Sequence, residues 1–281
     1  MRRFLLITNA YKDKGLALSK RIVSYIEEQG GRASIVKNSR DMEEGFSLSE
    51  IPGDTECILV LGGDGTLIRA ATQVESLRIP LIGVNLGTLG YLCELEEGTV
   101  FSAIDRLMAD DYITEERIML CGFRDGAERT PPRLALNDIV IHWAGDLSML
   151  KLMVYVNGEY LTTYHADGVV VATPTGSTGY SMSAGGPIVD PKARMLLLTP
   201  INAHDLNSKS IVLGDEDVVE IEMGSRRYGE NERASVSFDG DACLSLVAGE
   251  RVMIARATNI IRICKLSNRS FLEILRKKMS R

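Results

Sequence analysis

The sequence has few of the features that mark nucleic-acid-binding, membrane or secreted proteins. Its 281 residues carry a net charge of −6, so the basic excess that is typical of nucleic-acid binding is absent. No segment approaches the ~18 consecutive apolar residues of a membrane-spanning helix. The apolar run at the N-terminus stops at Thr8 and Asn9, short of the ~7–15-residue core of a signal peptide. We therefore expect a cytoplasmic protein whose partners are neither nucleic acids nor membranes.

Support for disulfides or metal sites is also weak. The five cysteines are odd in number and form no CxxC pair, which indicates free thiols in a reducing compartment. The three histidines show no HxH or HExxH spacing, which argues against a zinc site. Asp239-Gly240-Asp241 resembles the start of a calcium loop but lacks its ligand spacing, so a hairpin turn is the better interpretation. The sequence assigns no metal ligand.

Hydrophobic periodicity changes along the chain and predicts two domains. The first third alternates predicted strands and helices in the order β-α-β-α-β, which favours a parallel sheet covered by helices. After about residue 116 the segments alternate apolar and polar residues, and Asn157-Gly158 lies between two of them as a hairpin signal. We expect an α/β N-terminal domain with a parallel sheet over 1–115 and a mostly β, sandwich-like domain over 116–258. A C-terminal strand and helix over 259–281 are expected to pack back on the first domain.

The individual elements follow from the same patterns. The predicted strands of the first third span 4–8, 33–36, 57–61 and 79–84, and the predicted helices span 14–29 and 66–74. In the second region the predicted strands span 117–123, 134–142, 151–156, 160–163, 168–172, 210–213, 218–221, 234–238 and 252–255. A last strand over 260–266 and a helix over 271–279 complete the chain.

A glycine-rich turn, Gly62-Gly63-Asp64-Gly65-Thr66, joins a predicted buried strand to a predicted helix. Its amides and the start of the helix can line a phosphate-binding concavity. A carboxylate beside phosphates is repulsive, so Asp64 needs a compensating role: binding a metal, orienting a hydroxyl or accepting its proton. The combination indicates phosphoryl transfer with Asp64 as general base, while P-loop, protein-kinase and GxGxxG signatures are absent. The alternative is a tight turn in which Asp64 caps the helix.

Two polar segments stand out in the second region. Asn137-Asp138 interrupts an apolar strand pattern, and because adjacent strand residues face opposite sides, one polar group should point toward a packed face and need a partner. A ribose or adenine edge would supply that partner, whereas a bulge or strand end is the alternative. From His165 to Pro187 an apolar strand leads into a turn rich in small and hydroxyl residues, in which Tyr180 can stack on a flat ring. A loop without function is the alternative there.

Taken in order, these segments resemble the NAD kinase family of bacterial type. The resemblance is carried by Gly62–Thr66, Asn137-Asp138 and Asp167–Ser183, with shorter matches at Leu86–Tyr91 and Ser237–Gly240. It implies transfer of a terminal phosphoryl group from ATP or inorganic polyphosphate to the adenosine-ribose 2′-hydroxyl of NAD, giving NADP, with a divalent cation such as Mg²⁺. It also implies an α/β domain, a β-sandwich domain and a homodimer or homotetramer.

The resemblance further implies roles for individual residues. Asp64 would accept the 2′-hydroxyl proton, with Gly65 beside the nucleotide, while Asn137 and Asp138 would hold the adenosine of NAD. Asp167 would bind the nicotinamide side, with His165 near it. Residues that would line the dinucleotide pocket are Thr175, Thr178, Gly179, Tyr180 (against the adenine), Ser181, Met182 and Ser183.

Two positions depart from the family pattern, and two rival functions stay open. Asp241 stands where a glutamine is expected, and Leu92 where some members carry an aromatic residue, so the contacts of both stay unassigned. A lipid kinase of the diacylglycerol or sphingosine type shares a similar glycine-rich loop, but the dense polar run at 173–183 argues against it. A dinucleotide sensor without catalysis is the other rival, and the intact Asp64 argues against it.

Overall fold

The computed structural model describes residues 1–38, 46–87, 90–126, 132–144, 149–204, 208–225, 233–266 and 270–280. Thr88 and Leu89 of the segment Leu86–Tyr91 lie outside these residues. Residue contacts divide the chain into two compact units, 1–117 with 260–281, and 118–259. Within the described ranges, no helix combines the length and the apolar character that crossing a membrane requires.

The first unit begins with alternating strands and helices. They are β1 (Arg3–Asn9), α1 (Ala17–Glu28), β2 (Arg32–Asn38), β3 (Cys57–Gly62), α2 (Asp64–Val74), β4 (Leu81–Asn85), β5 (Leu95–Glu96) and α3 (Val100–Met108). Strands β2, β1, β3 and β4 pair in parallel in that order. Every residue of β3 and β4 is buried, as expected for strands with both faces covered. The predicted parallel α/β architecture is confirmed, although α3 lies outside the predicted elements.

The second unit is almost entirely β-structure. Its elements are β6 (Ile113–Arg124, which begins in the first unit), β7 (Arg133–Ala135), β8 (Asp138–Trp143), β9 (Leu150–Val156), β10 (Glu159–Ala166), β11 (Gly168–Ala172), α4 (Tyr180–Ser183), β12 (Met195–Ile201), β13 (Ile211–Gly214), β14 (Val219–Met223), β15 (Arg233–Phe238) and β16 (Asp241–Val247). One antiparallel sheet has the order β13-β12-β11-β8-β15-β16, and β10, β9 and β14 pair in another. Apolar side chains of both sheets share one core, so the predicted sandwich-like fold is confirmed.

The end of the chain returns to the first unit. Strand β17 (Arg251–Lys265) pairs with β14 through Val219 and Ile254, and with β4 through Leu81 and Ile263. The two strands predicted over 252–255 and 260–266 are therefore one strand, because its polar residues in between do not interrupt the extended backbone. Helix α5 (Phe271–Met279) follows, with its start capped by the Ser270 hydroxyl, which accepts the Glu273 N–H.

Candidate active site

In the first unit, the Asp64 carboxylate is fixed by backbone amides from the segment between β4 and β5. Its Oδ2 accepts the N–H of Tyr91 at 2.6 Å, and its Oδ1 accepts the N–H groups of Leu92 at 3.2 Å and Cys93 at 3.1 Å. A β-carbon at Gly90 would overlap this carboxylate, so only glycine permits the approach. Asp64 therefore does not act as a helix cap with a free carboxylate; it is held in one orientation from a distant segment.

The buried Cys93 thiol lies close to the same carboxylate. Its burial, together with the negative charge of Asp64, raises the pKa of Cys93 far above its ordinary value. The thiol therefore stays protonated at neutral pH and adds no second negative charge beside Asp64.

In the second unit, Asp239 holds the backbone at the break between β7 and β8. Its carboxylate accepts the N–H groups of Leu136 at 2.7 Å, Asn137 at 2.7 Å and Asp138 at 3.1 Å. Asp239 occupies the left-handed region with φ +50° in the turn between β15 and β16, as the hairpin interpretation of this segment predicted. The strand predicted over 134–142 is interrupted here, because these amides bond to a side chain instead of to a neighbouring strand.

Asp138 is a buried carboxyl beside that of Asp239. Only 6% of its surface is exposed. Burial, reinforced by the negative charge of Asp239, raises the pKa of Asp138 to about 7. At neutral pH this group therefore exchanges between a form that donates a hydrogen bond and a form that only accepts.

The run after β11 packs against the same break. The Thr173 hydroxyl donates to the Leu136 carbonyl at 2.6 Å, and a β-carbon at Gly176 would overlap the Asn137 carbonyl. Among the described residues, Asn137 Oδ1 and Thr175 Oγ1 are buried without a hydrogen-bond partner. Unpaired buried polar atoms cost free energy, so both atoms are places where a bound molecule would supply the missing partner.

A pocket of ≈ 450 Å³ opens beside these groups. Its lining residues all belong to the second unit: Asn137, Asp138, Val140, His142, Tyr180, Ser237, Asp239 and Gly240. Tyr180 is 47% exposed, which leaves its ring available for stacking. The pocket combines the Tyr180 ring and the His142 imidazole with amide and carboxyl groups, a lining that suits a heteroaromatic ring attached to a hydroxylated sugar.

Comparison with known proteins identifies the family. The chain matches the model of the ATP-NAD kinase N-terminal domain over residues 22–112 and that of the ATP-NAD kinase C-terminal domain over residues 136–266. The chain belongs to the NAD kinase family. It is 64% identical to an NAD kinase of Agathobacter rectalis over 281 residues, with 99% of each chain covered. It is 40% identical to an NAD kinase of Lachnospira eligens, covering 99% of this chain and 100% of the relative.

Solved NAD kinase structures share the fold. Yeast NADH kinase complexed with NADH superposes with a TM-score of 0.85 at 20% identity, covering 100% of this chain and 88% of the other. An NAD kinase from Archaeoglobus fulgidus in complex with ATP superposes with a TM-score of 0.79 at 23% identity, with 99% of each chain covered. At these identities the likeness extends to the fold only.

Some residues assigned through the NAD kinase resemblance gather around the pocket, and others do not. Asn137, Asp138 and Tyr180 line it, while a β-carbon at Gly179 would lie 3.5 Å from Asn137 Nδ2. Four other residues of the same run do not line the pocket. The Thr178 hydroxyl donates to the Thr175 carbonyl, Ser181 is buried, and Met182 and Ser183 are exposed. Outside the run, Asp167 accepts from the Asn202 amide at 3.0 Å, and His165 is exposed on β10. Asp64 and Gly65 lie in the first unit.

Sequence reasoning missed the roles of Asp239, His142 and Ser237 at this pocket. His142 Nε2 lies 3.3 Å from the Ser237 hydroxyl, and both residues line the pocket. The family match at Ser237–Gly240 and the Asp-Gly pair after a predicted strand marked this segment, but neither signal identifies the backbone to which the Asp239 carboxylate bonds.

Proposed function

We propose that this chain is an NAD kinase, which transfers the terminal phosphoryl group of ATP to the adenosine-ribose 2′-hydroxyl of NAD. Membership of the family and 64% identity with an NAD kinase over the whole chain support the activity. The observation that carries the mechanism is the Asp64 carboxylate, oriented by three backbone amides inside a glycine-rich turn. That is a fixed base in the setting where phosphoryl groups bind.

In the proposed step, the 2′-oxygen of the ribose attacks the terminal phosphorus and forms a new P–O bond, while the bond from that phosphorus to the bridging oxygen breaks. The electron pair of the broken bond leaves with ADP, and the hydroxyl proton passes to Asp64.

The acceptor is proposed to bind through the second unit. Adenine would stack on Tyr180, and the unpaired Asn137 Oδ1 and Thr175 Oγ1 would bond to the adenosine. Asp138 would bond to a ribose hydroxyl, and His165 with Asp167 would serve the nicotinamide side. Thr178, Gly179, Ser181, Met182 and Ser183 complete the proposed dinucleotide-binding run.

The phosphoryl donor and the metal ion are proposed on the family resemblance. ATP is the donor that the family supports, and polyphosphate is a second candidate. Within the described ranges, no three His, Cys, Asp or Glu side chains cluster in a way that could hold a metal ion. A divalent cation such as Mg²⁺ therefore enters the proposal as a partner of the donor's phosphates, whose charge it would neutralise.

We also infer a cytoplasmic location and a homodimer or homotetramer. Cys57, Cys93, Cys121 and Cys264 are free thiols, in keeping with a reducing compartment.

The test measures NADP formation by the purified protein. Wild type is incubated with NAD, Mg²⁺ and either ATP or polyphosphate, and NADP is followed with an NADP-specific dehydrogenase. Asp64→Asn should lower kcat by ~10²–10⁴-fold, the usual contribution of a general base, while NAD binding is retained. Asp54→Asn, at an exposed carboxylate of the same unit, is the matched control and should leave turnover unchanged.

Three results would contradict the proposal. Near-normal turnover of Asp64→Asn would remove Asp64 from the base role. Phosphorylation of a lipid hydroxyl without any of NAD would establish the lipid-kinase alternative. Tight NAD binding without turnover with either donor would establish the other alternative, a dinucleotide sensor without catalysis.

A further inference from the structure

The side chain of Lys12 lies over the glycine-rich turn of the first unit. Lys12 follows β1, Gly63 follows β3 and Gly87 follows β4, and because these strands are parallel neighbours their carboxyl ends share one edge of the sheet. A β-carbon at Gly63 would lie 3.0 Å from Lys12 Nζ, and one at Gly87 would lie 3.6 Å from it. The ammonium group therefore contacts two glycine segments rather than pointing away from the protein.

The backbone that carries Lys12 is fixed on both sides. Before it, Asn9 Oδ1 accepts the N–H groups of Tyr11 at 3.1 Å and Lys12 at 3.2 Å. After it, the buried Asp13 carboxylate accepts the N–H groups of Leu18 at 3.0 Å and Ser19 at 2.9 Å, as well as the Ser19 hydroxyl. The backbone from which the Lys12 side chain extends is thus fixed by hydrogen bonds on both sides.

In the part of the chain that the structure describes, Lys12 forms no ion pair with a carboxylate. Burial and Asp64 raise the pKa of Cys93, while the positive charge of Lys12 acts on it in the opposite direction, which places Lys12 within electrostatic reach of the Asp64 site. A β-carbon at Gly65 would meet no atom within 4 Å, so open space adjoins this turn.

We propose that Lys12 binds the phosphoanhydride chain of the phosphoryl donor. This inference rests on the proposed function and names the donor contact of the same reaction. A lysine ammonium is a point charge that suits phosphate oxygens. As the terminal phosphoryl group moves to the 2′-oxygen, negative charge grows on the departing bridging oxygen. The positive charge of Lys12 offsets that charge. ATP and polyphosphate present the same chemistry, so both are tested.

The experiment compares Lys12→Met, Lys12→Arg and the control Lys14→Met, which alters an exposed lysine two residues along the same turn. NADP formation is measured against ATP, polyphosphate and NAD concentration. Binding of ATP and of AMP to each variant is measured by calorimetry, without turnover. Lys12→Met should lower kcat/KM for either phosphoryl donor by ~10–100-fold, the effect of one charged hydrogen bond, and leave the KM for NAD unchanged. It should also reduce the preference for ATP over AMP by a similar factor.

The outcomes separate this inference from the proposed function. Lys12→Arg keeps the charge and should recover most of the lost activity, whereas Lys14→Met should behave as wild type. An unchanged ATP-to-AMP preference in Lys12→Met, or a rise in the KM for NAD as large as the rise in the KM for the donor, would overturn the role of Lys12. If only ATP were affected, the contact would be specific to the nucleotide donor. If wild type formed no NADP, the proposed function would fail. The ATP and AMP binding data would still test whether Lys12 binds the phosphoanhydride chain.

Discussion

Two carboxyl groups of this protein are held in opposite ways. Asp64 accepts three backbone N–H groups, which fix the orientation of its carboxylate, whereas Asp138 is buried beside a second carboxyl that opposes its ionisation. The first arrangement suits a base with a fixed orientation. The second suits a group that changes its hydrogen-bonding character near neutral pH.

Asp138 should make the stability of the protein fall as pH rises. Its pKa is about 7 in the folded protein and ~3.9 in an unfolded chain. Because the folded state raises this pKa, the contribution is fully present below pH ~4 and is lost as pH passes 7. Asp138→Asn removes the ionisable group and should gain stability over wild type between pH 5.5 and 8, by a few kcal/mol at ~1.4 kcal/mol per pKa unit. Thermal unfolding across this range measures the difference.

The control for this prediction is Glu216→Gln, at an exposed carboxylate of the same unit. That variant should follow wild type at every pH. A difference between Asp138→Asn and wild type that stays constant from pH 5.5 to 8 would show that Asp138 does not titrate in this window.

At the scale of elements, the pocket of the second unit depends on one contact between a hairpin turn and a strand break. Asp239, between β15 and β16, accepts three amides at the break between β7 and β8. The apolar run predicted one strand over 134–142, and β17 was predicted as two strands. Both errors have the same origin. A strand breaks where its backbone N–H groups bond to something other than a neighbouring strand, and local composition does not predict those partners.

Removing the Asp239 carboxylate should disorder the Asn137-Asp138 backbone. Asp239→Ala leaves three amides without their acceptor, at ~1–3 kcal/mol for each one left unpaired, so we expect a lower free energy of unfolding and a KM for NAD raised by at least ~10-fold. It should also lower the pKa of Asp138, since Asp239 contributes to raising it. Asp239→Asn keeps an acceptor oxygen and should lie between wild type and Asp239→Ala. An unchanged KM for NAD would contradict the role given to Asp239.

At the scale of the molecule, the chain leaves the first unit and returns to it at its end. Ile261, Ile263, Cys264 and Leu266 are buried, and β17 pairs with β4. In α5, by contrast, no residue is buried; its Lys278 lies 4.4 Å from the centre of the Tyr91 ring. The last strand is therefore part of a core, and the last helix is a surface addition.

Two truncations should separate these roles. A chain ending at Leu266 should fold with a thermal midpoint within a few degrees of wild type, since it loses surface contacts and one cation–π pair worth ~0.5–1 kcal/mol. A chain ending at Asn259 should fail to fold, because it removes four buried side chains and the partner strand of β4. Circular dichroism and thermal unfolding distinguish the two. Equal stability of both chains would contradict the placement of β17 in the core.

Residue patterns along the chain were enough to predict the kinds of element, the parallel and antiparallel character of the two regions, and the motifs that lead to the NAD kinase family. These properties depend on neighbouring residues, so periodicity and short segments record them. Three contacts became visible only in the folded chain: Asp64 is held by the amides of residues 91–93, Asp239 holds residues 136–138, and Lys12 lies over Gly63 and Gly87. These contacts join segments far apart in the chain, and strand pairing brings them together, which no local pattern of residue types specifies.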